Sequence, residues 1–352
     1  MKVRHELSVL DVTMNEEVGL GGGAFNVRTD RSVSLGPVRL RIRSNEAQFG
    51  ELRHFPPSMH LPQDAPVHFT VNCCNLNQDG PWAIRELEQA RDRSYRGGRF
   101  AGGYYVTDHF GAPAYLLTRG SHLWIFAQRF EPIVWPYVIK FLLTTYAVDE
   151  GLLHLKAAGV ALEGAGTLLV GRGGSGKTVL VARLCQSGAA FLTNTHALVR
   201  DRTLWGLPTA MRVRNDRLFG AAIATGKLAE GLKPGEYVMD PLVDLKWPHI
   251  HSAPIRNICL VDYRGTERQV VRDIDADTLF NYMEHFSLAV NIYGIREDLF
   301  DHLGGDVQKF SDRWRDAKVQ LRELISDCRR HYVSCDVMDD DNLRAVRDRL
   351  TG

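Results

Sequence analysis

Gly171-Arg172-Gly173-Gly174-Ser175-Gly176-Lys177-Thr178 satisfies the pattern G-x-x-x-x-G-K-[ST] at every fixed position. An apolar run, Thr167-Leu168-Leu169-Val170, precedes it, and a helical pattern follows from Val179 to Cys185. A strand that feeds a glycine-rich loop and then a helix is the context in which this pattern holds phosphate. The glycines let backbone N–H groups turn inward around phosphate oxygens, and the helix N-terminus adds partial positive charge. In that reading Lys177 reaches the β- and γ-phosphates and the Thr178 hydroxyl binds Mg²⁺. The cradle runs from Gly171 to Val179, and the expected ligands are ATP and Mg²⁺.

Composition narrows the rest. The 352 residues suffice for two domains, and 44% hydrophobic with 24% charged residues is ordinary globular chemistry. Forty-three basic and 42 acidic residues leave a formal charge of +1, so no global field draws nucleic acid or an anionic membrane. No apolar stretch approaches the roughly 18 residues that span a bilayer. Met1-Lys2-Val3-Arg4-His5-Glu6 has a basic start with no apolar run behind it, unlike a secretory signal. Six cysteines without a C-x-x-C pair fit reduced thiols and a cytoplasmic setting.

Along the chain, residues 1–132 form a candidate β-rich N-terminal domain. Val38–Arg43 alternates apolar and basic residues as a half-exposed strand does, with similar strands over Val67–Val71 and Leu123–Ala127. Trp82–Ala90 has the pattern of an amphipathic helix, and Gly97-Gly98 and Gly102-Gly103 bracket a turn. Residues 133–352 form a candidate α/β nucleotide-binding domain. It opens with an apolar helix over Val134–Tyr146 and continues with a strand pair over His154–Leu162, interrupted by a turn at Glu163–Gly166. Strands over Ala190–Leu192 and Ala197–Val199 flank Thr193–His196, and Ile258–Val261 is a buried strand closed by Asp262. The tail from Asp277 is helical, with an amphipathic segment over Lys318–Arg330, a strand over His331–Cys335 and a final short helix.

The stretch Leu152–Val199 resembles the HPr kinase/phosphorylase-like P-loop family, which is related to phosphoenolpyruvate carboxykinase. The resemblance covers about 50 residues and is carried by Leu155–Val160, Gly171–Thr178 and Phe191–His196, with the tail containing Tyr293-Gly294-Ile295 a looser match. It implies a nucleotide-binding domain of that type and ATP-dependent kinase activity. Oligomers are common in the family, so it also implies a homo-oligomer. The departures are informative. The family's catalytic aspartate pair falls on Asn194 and Thr195, its upstream histidine on Lys156, and the acidic residue often found after the loop Ser/Thr on Val179. Asn194 can orient water or coordinate Mg²⁺ weakly, but an amide cannot accept a proton.

Three residues are candidates for the missing role. His196 follows the altered pair, and an unperturbed imidazole suits proton transfer near neutral pH. Lys156 is placed to contact the γ-phosphate or the acceptor. Asp262 ends an apolar strand as an aspartate that holds Mg²⁺ through water does. Arg212 and Arg214, two residues apart, share one strand face and have the chemistry to clamp a carboxylate or phosphoryl group. The expected function is transfer of the γ-phosphoryl group to a small-molecule or peptide acceptor. A carboxylate or neutral amine acceptor needs no base, whereas a hydroxyl would call on His196. A non-catalytic nucleotide-binding module and an ATP-dependent ligase acting through an acyl phosphate are the alternatives.

Overall fold

The computed structural model describes residues 25–78, 92–94, 97–100, 103–106, 114–225, 228–231, 234–263 and 270–352. The helix expected over Trp82–Ala90 lies outside them. The chain is mixed α/β and divides into two compact units. One takes the described residues of 25–34, 38–53 and 59–138, and the other takes 35–37, 54–58 and those of 139–352. Among the described residues no helix is long and apolar enough to cross a membrane.

The first unit is built on one sheet. In chain order its strands are β1 (Thr29–Leu35), β2 (Val38–Ser44), β3 (His60–Leu61), β4 (Phe69–Asn75), β5 (Asp92–Ser94), β6 (Gly97–Phe100), β7 (Gly103–Val106), β8 (Ala114–Arg119) and β9 (His122–Ala127). They lie side by side as β3-β1-β2-β4-β9-β8-β7-β6-β5. The alternation of β2 decides its facing: Val38, Leu40 and Ile42 are buried, while Arg39, Arg41 and Arg43 stay partly exposed. Arg41 thereby forks onto Asp30 of β1 at 2.8 and 2.6 Å. Gly97 and Gly98 pair within the sheet, opposite Val106 and Tyr105, with Phe100 opposite Gly103; residues 101 and 102, between β6 and β7, lie outside the described residues.

The second unit carries the glycine loop. Its helices are α1 (Lys140–Asp149), α2 (Lys177–Gln186), α3 (Gly220–Ala224), α4 (Ala276–Phe286), α5 (Ala289–Ile292), α6 (Arg296–His302), α7 (Val307–Asp327) and α8 (Asp340–Thr351). Its main sheet contains β10 (Leu153–Lys156), β11 (Ala158–Leu162), β12 (Ala165–Val170), β13 (Ala190–Thr193), β14 (His196–Arg200) and β15 (Thr203–Trp205). A separate three-stranded sheet holds β16 (Met211–Arg214), β17 (Ala229–Glu230) and β18 (Glu236–Met239). Then β19 (Ser252–Val261), β20 (Val270–Asp273) and β21 (Arg329–Ser334) return to the main sheet. Its order is β10-β14-β15-β19-β12-β11-β13, with β21 also on β19 and β20 on β21.

Period-two alternation sends side chains to both faces of this sheet. Leu168, Val170, Ile258 and Leu260 pack on one side against Leu279, Phe280 and Met283 of α4 and Leu321, Leu324 and Ile325 of α7. Leu169, Cys259 and Val261 pack on the other against Leu180, Val181 and Leu184 of α2 and Leu343, Val346 and Leu350 of α8. The loop strand β12 is therefore central, antiparallel to β11 and parallel to β19, which is itself parallel to β21. All six cysteines are buried and free.

Local chemistry moves several element boundaries from their expected places. The strand pair over His154–Leu162 divides at Ala157, whose N–H donates to the Thr195 carbonyl, so β10 pairs with β14 while β11 pairs with β12 and β13. Helix α7 starts well before Lys318, because Asp306 caps it by accepting from the Lys309 N–H at 3.0 Å. It stops before Arg330, whose guanidinium donates to the Ile325 carbonyl at 3.0 Å while its backbone joins β21.

Candidate functional site

The loop that links β12 to α2 is shaped by two glycine properties. At Gly171 the chain passes so close to β19 that a Cβ would lie 2.3 Å from the Val261 carbonyl and 2.5 Å from Ser175 Oγ. Gly174 and Gly176 have φ of 78° and 92°, a conformation open mainly to glycine. Gly176 thereby turns the chain into α2, whose first turn contains Lys177 and Thr178 and no acidic residue. The exposed N–H groups and the dipole of that helix end favour an anion. Ser175 is buried, and its carbonyl accepts from the Tyr263 N–H at 3.3 Å.

Lys177 folds back across the loop. Its Nζ donates to the carbonyls of Gly171 at 2.7 Å and Arg172 at 2.8 Å, with Ser175 Oγ at 3.4 Å. Burial, and behind it the charge of Lys156, pulls this ammonium down to about 8. Thr178 Oγ1 donates to Asn194 Oδ1 at 3.1 Å, which ties the start of α2 to the turn between β13 and β14. Hydroxyl and amide oxygens are hard donors of the kind Mg²⁺ accepts alongside phosphate oxygens. Asp262, at the end of the parallel neighbour β19, pairs with Arg172 of the loop at 3.3 Å and accepts from Tyr332 Oη at 3.4 Å. Among the described residues no group of three or more His, Cys, Asp or Glu is arranged to hold a metal ion.

The second half of the site lies on β10 and β14. Lys156 is the cross-strand partner of His196, and His154 shares their face two residues earlier. Both histidines are buried in a chain of hydrogen bonds: Thr144 Oγ1 to His154 Nδ1 at 2.8 Å, His154 Nε2 to His196 Nδ1 at 3.1 Å, and Tyr293 Oη to His196 Nδ1 at 3.4 Å. Thr144 Oγ1 also reaches the Lys140 carbonyl at 2.9 Å, which ties the chain back to α1.

That environment argues against His196 as a base. Burial, then His154, Lys140, Lys156 and Arg212, hold its imidazolium form well below the ordinary range. Burial and Lys140 push His154 down to about 3. A proton taken up by His196 would create a buried cation among cations, which is why the unperturbed value expected from sequence is a poor guide here. Arg212 and Arg214 do share a strand face, but both approach a carboxylate of the chain itself, the buried Glu236, each at 3.9 Å.

Sequence reasoning missed Lys140, Thr144 and Glu236 and gave Tyr293 only a loose place. The signal for Lys140 was present: it is the one charged residue in the apolar run Val134–Tyr146. In the fold its Nζ sits 4.3 Å from the centre of the Tyr293 ring. No protein-family model matches the chain, and no curated protein matches it.

Proposed function

We propose that the second unit is a nucleotide-binding domain of the HPr kinase/phosphoenolpyruvate carboxykinase type. In this reading it binds ATP with Mg²⁺ at Gly171–Thr178 and transfers the γ-phosphoryl group to a small-molecule or peptide acceptor in the cytoplasm. The observation that carries the reading is the loop itself: a central strand, left-handed glycines, and an ammonium poised over the loop carbonyls at a helix N-terminus. Phosphate oxygens are stronger acceptors for Lys177 than those carbonyls and would draw Nζ inward. Thr178, Asn194 and Asp262 are the residues that would hold Mg²⁺, which supplies charge neutralisation to the phosphates. Lys156 supplies further positive charge for the γ-phosphate or the acceptor. Because burial and the neighbouring cations make His196 a poor proton acceptor, the reading favours an acceptor that is already nucleophilic, a carboxylate or an amine. A carboxylate acceptor would yield an acyl phosphate, the chemistry that a ligase also uses.

One observation favours a second reading. The side chain that Thr178 Oγ1 bonds is an amide, Asn194, and the Asp262 carboxylate is paired with Arg172. A domain that binds nucleotide without chemistry, as a switch, would look the same. Incubation with γ-labelled ATP and a cell extract separates the two: label in a new product supports the kinase, and tight binding with no transfer supports the switch.

Two solution properties follow from the loop. Thr178→Ala removes a Mg²⁺ ligand but no phosphate-binding N–H, so nucleotide affinity should be partly retained while its dependence on Mg²⁺ weakens several-fold. An unchanged Mg²⁺ titration would argue against the ligand role. The second property concerns protons. Without nucleotide, Lys177 loses its proton through about pH 8, whereas bound phosphate favours the ammonium. Binding above pH 8 should take up a proton, and affinity should fall as pH rises. Calorimetry at pH 8.5 in buffers of different ionisation enthalpy measures this, and Lys140→Met, which removes the other lysine held near 8, should leave the uptake in place. Buffer-independent heats would contradict the assignment.

A further inference from the structure

Arg172 holds Asp262 loosely. Its Nε lies 3.3 Å from Asp262 Oδ1, and among the described residues its guanidinium makes no hydrogen bond. Arg41 shows the contrast: it forks onto Asp30 with two hydrogen bonds, at 2.8 and 2.6 Å. Arg172 is also the more exposed of the two arginines, at 53% against 36%. Asp262 is fixed by its neighbours. Its N–H donates to the Val333 carbonyl at 3.0 Å, its own carbonyl accepts from Ser334 Oγ at 3.1 Å, and Tyr332 Oη donates to Oδ2 at 3.4 Å. Of the pair, the exposed guanidinium is the partner that can move.

Arg172 stands within the loop itself. Its carbonyl accepts from Lys177 Nζ at 2.8 Å and from the Ser175 N–H at 3.3 Å, so its backbone belongs to the turn that presents the loop N–H groups. The space next to it is open: a Cβ built on Gly173 or Gly174 would meet nothing within 4 Å. Side-chain rotation can therefore release the guanidinium from Asp262 with no shift of the backbone. A phosphate group offers a guanidinium a better partner than this carboxylate. It carries more charge, and it presents oxygens at the spacing of the guanidinium fork that are not shared with Tyr332.

We propose that Arg172 is a phosphate-positioning residue held in reserve on Asp262: a phosphate of the nucleotide draws the guanidinium away, and the Asp262 carboxylate is thereby uncovered for Mg²⁺. The inference rests on the nucleotide reading of the loop and adds an order of events to it. The acid that would hold metal is covered by a cation of the loop until phosphate arrives, so the site takes metal with nucleotide rather than metal alone. A metal role for Asp262 and its pairing with Arg172 are then two stages of one site.

A double-mutant cycle tests the exchange. Full-length wild type, Asp262→Asn, Arg172→Ala and the double variant are titrated with a non-hydrolysable ATP analogue by calorimetry. The titrations are run in EDTA, because with Mg²⁺ present Asp262→Asn would also remove a metal ligand. Asp262→Asn should tighten binding by about three- to fivefold, the worth of one exposed ion pair that no longer has to be broken. Arg172→Ala should weaken it by about threefold or more, through the lost phosphate contact. On the Arg172→Ala background, Asp262→Asn should change affinity by less than about 1.5-fold at about 0.15 M salt, where charges more than about 8 Å apart are largely screened. An equal gain on both backgrounds would mean that only repulsion between Asp262 and phosphate was relieved, and it overturns the proposal. So does an Asp262→Asn variant that binds no more tightly than wild type. Melting temperatures show which variants fold. If Asp262→Asn does not, Arg172→Ala decides alone, and unchanged affinity overturns the proposal. A wild type that binds only with Mg²⁺ leaves the test intact, since Asp262→Asn should then gain binding in EDTA. If none of the proteins binds the analogue with or without Mg²⁺, the nucleotide reading fails and the exchange with it, whereas wild-type binding without the expected cycle removes the exchange alone.

Discussion

Lys177→Ala is expected to lose nucleotide affinity by roughly thirty- to several-hundredfold, the equivalent of about 2–4 kcal/mol for removal of charge-assisted contacts to phosphate. The fold should survive. Lys177 makes its hydrogen bonds within the loop, to Gly171 and Arg172 carbonyls and to Ser175 Oγ, and contributes no apolar packing that α2 depends on. Its ammonium is also drawn down by burial and by Lys156, so losing the charge relieves repulsion that partly offsets the lost hydrogen bonds. Calorimetry with a non-hydrolysable ATP analogue measures the affinity, and thermal melting shows that the variant is folded. Undiminished affinity in a folded variant would remove the basis of the nucleotide assignment.

The second large effect is on stability. Gly171→Ala places a Cβ 2.3 Å from the Val261 carbonyl, a backbone atom of a central strand, and 2.5 Å from the oxygen of buried Ser175. The Val261 carbonyl is backbone and cannot swing aside as the end of a side chain would. Parting the loop from β19 should cost about 3 kcal/mol, at the upper end of overpacking in a well-packed core. Gly173→Ala is the matched control: its Cβ meets nothing within 4 Å, so stability should change by about 0.5 kcal/mol or less. Urea unfolding followed by circular dichroism compares the pair. Equal midpoints for the two variants would show that the close approach at Gly171 is not maintained in solution. The pair also separates shape from charge in the loop, since neither substitution touches Lys177.

The glycine loop between β12 and α2 is legible in the sequence because its information is local. Eight consecutive residues fix the turn, the ammonium and the hydroxyl, and the flanking strand and helix follow from an apolar run and a helical repeat. Asp262 is legible for a related reason, as an acid that ends a buried apolar strand. What sequence could not supply was its partner, since Arg172 lies 90 positions earlier and meets it only because β12 and β19 are parallel neighbours.

His196 marks the boundary most clearly. From its neighbours in sequence it has the value of an imidazole in water, and a base role follows. Its actual state is decided by Thr144, His154, Tyr293, Lys140 and Arg212, which come from separate stretches of the chain and are close only once it is folded. The Arg212 and Arg214 pair shows the same division: two-residue spacing puts both on one face, but the carboxylate they approach is Glu236 on the paired strand β18. Sequence by itself determined the chemistry that is encoded in bonded neighbours: the loop, its strand and helix, and the acid at a strand end. The tertiary structure alone decided which charges face one another and how dry they are. Proton affinity and ion pairing depend on distance and desolvation, and neither is a property of adjacent residues.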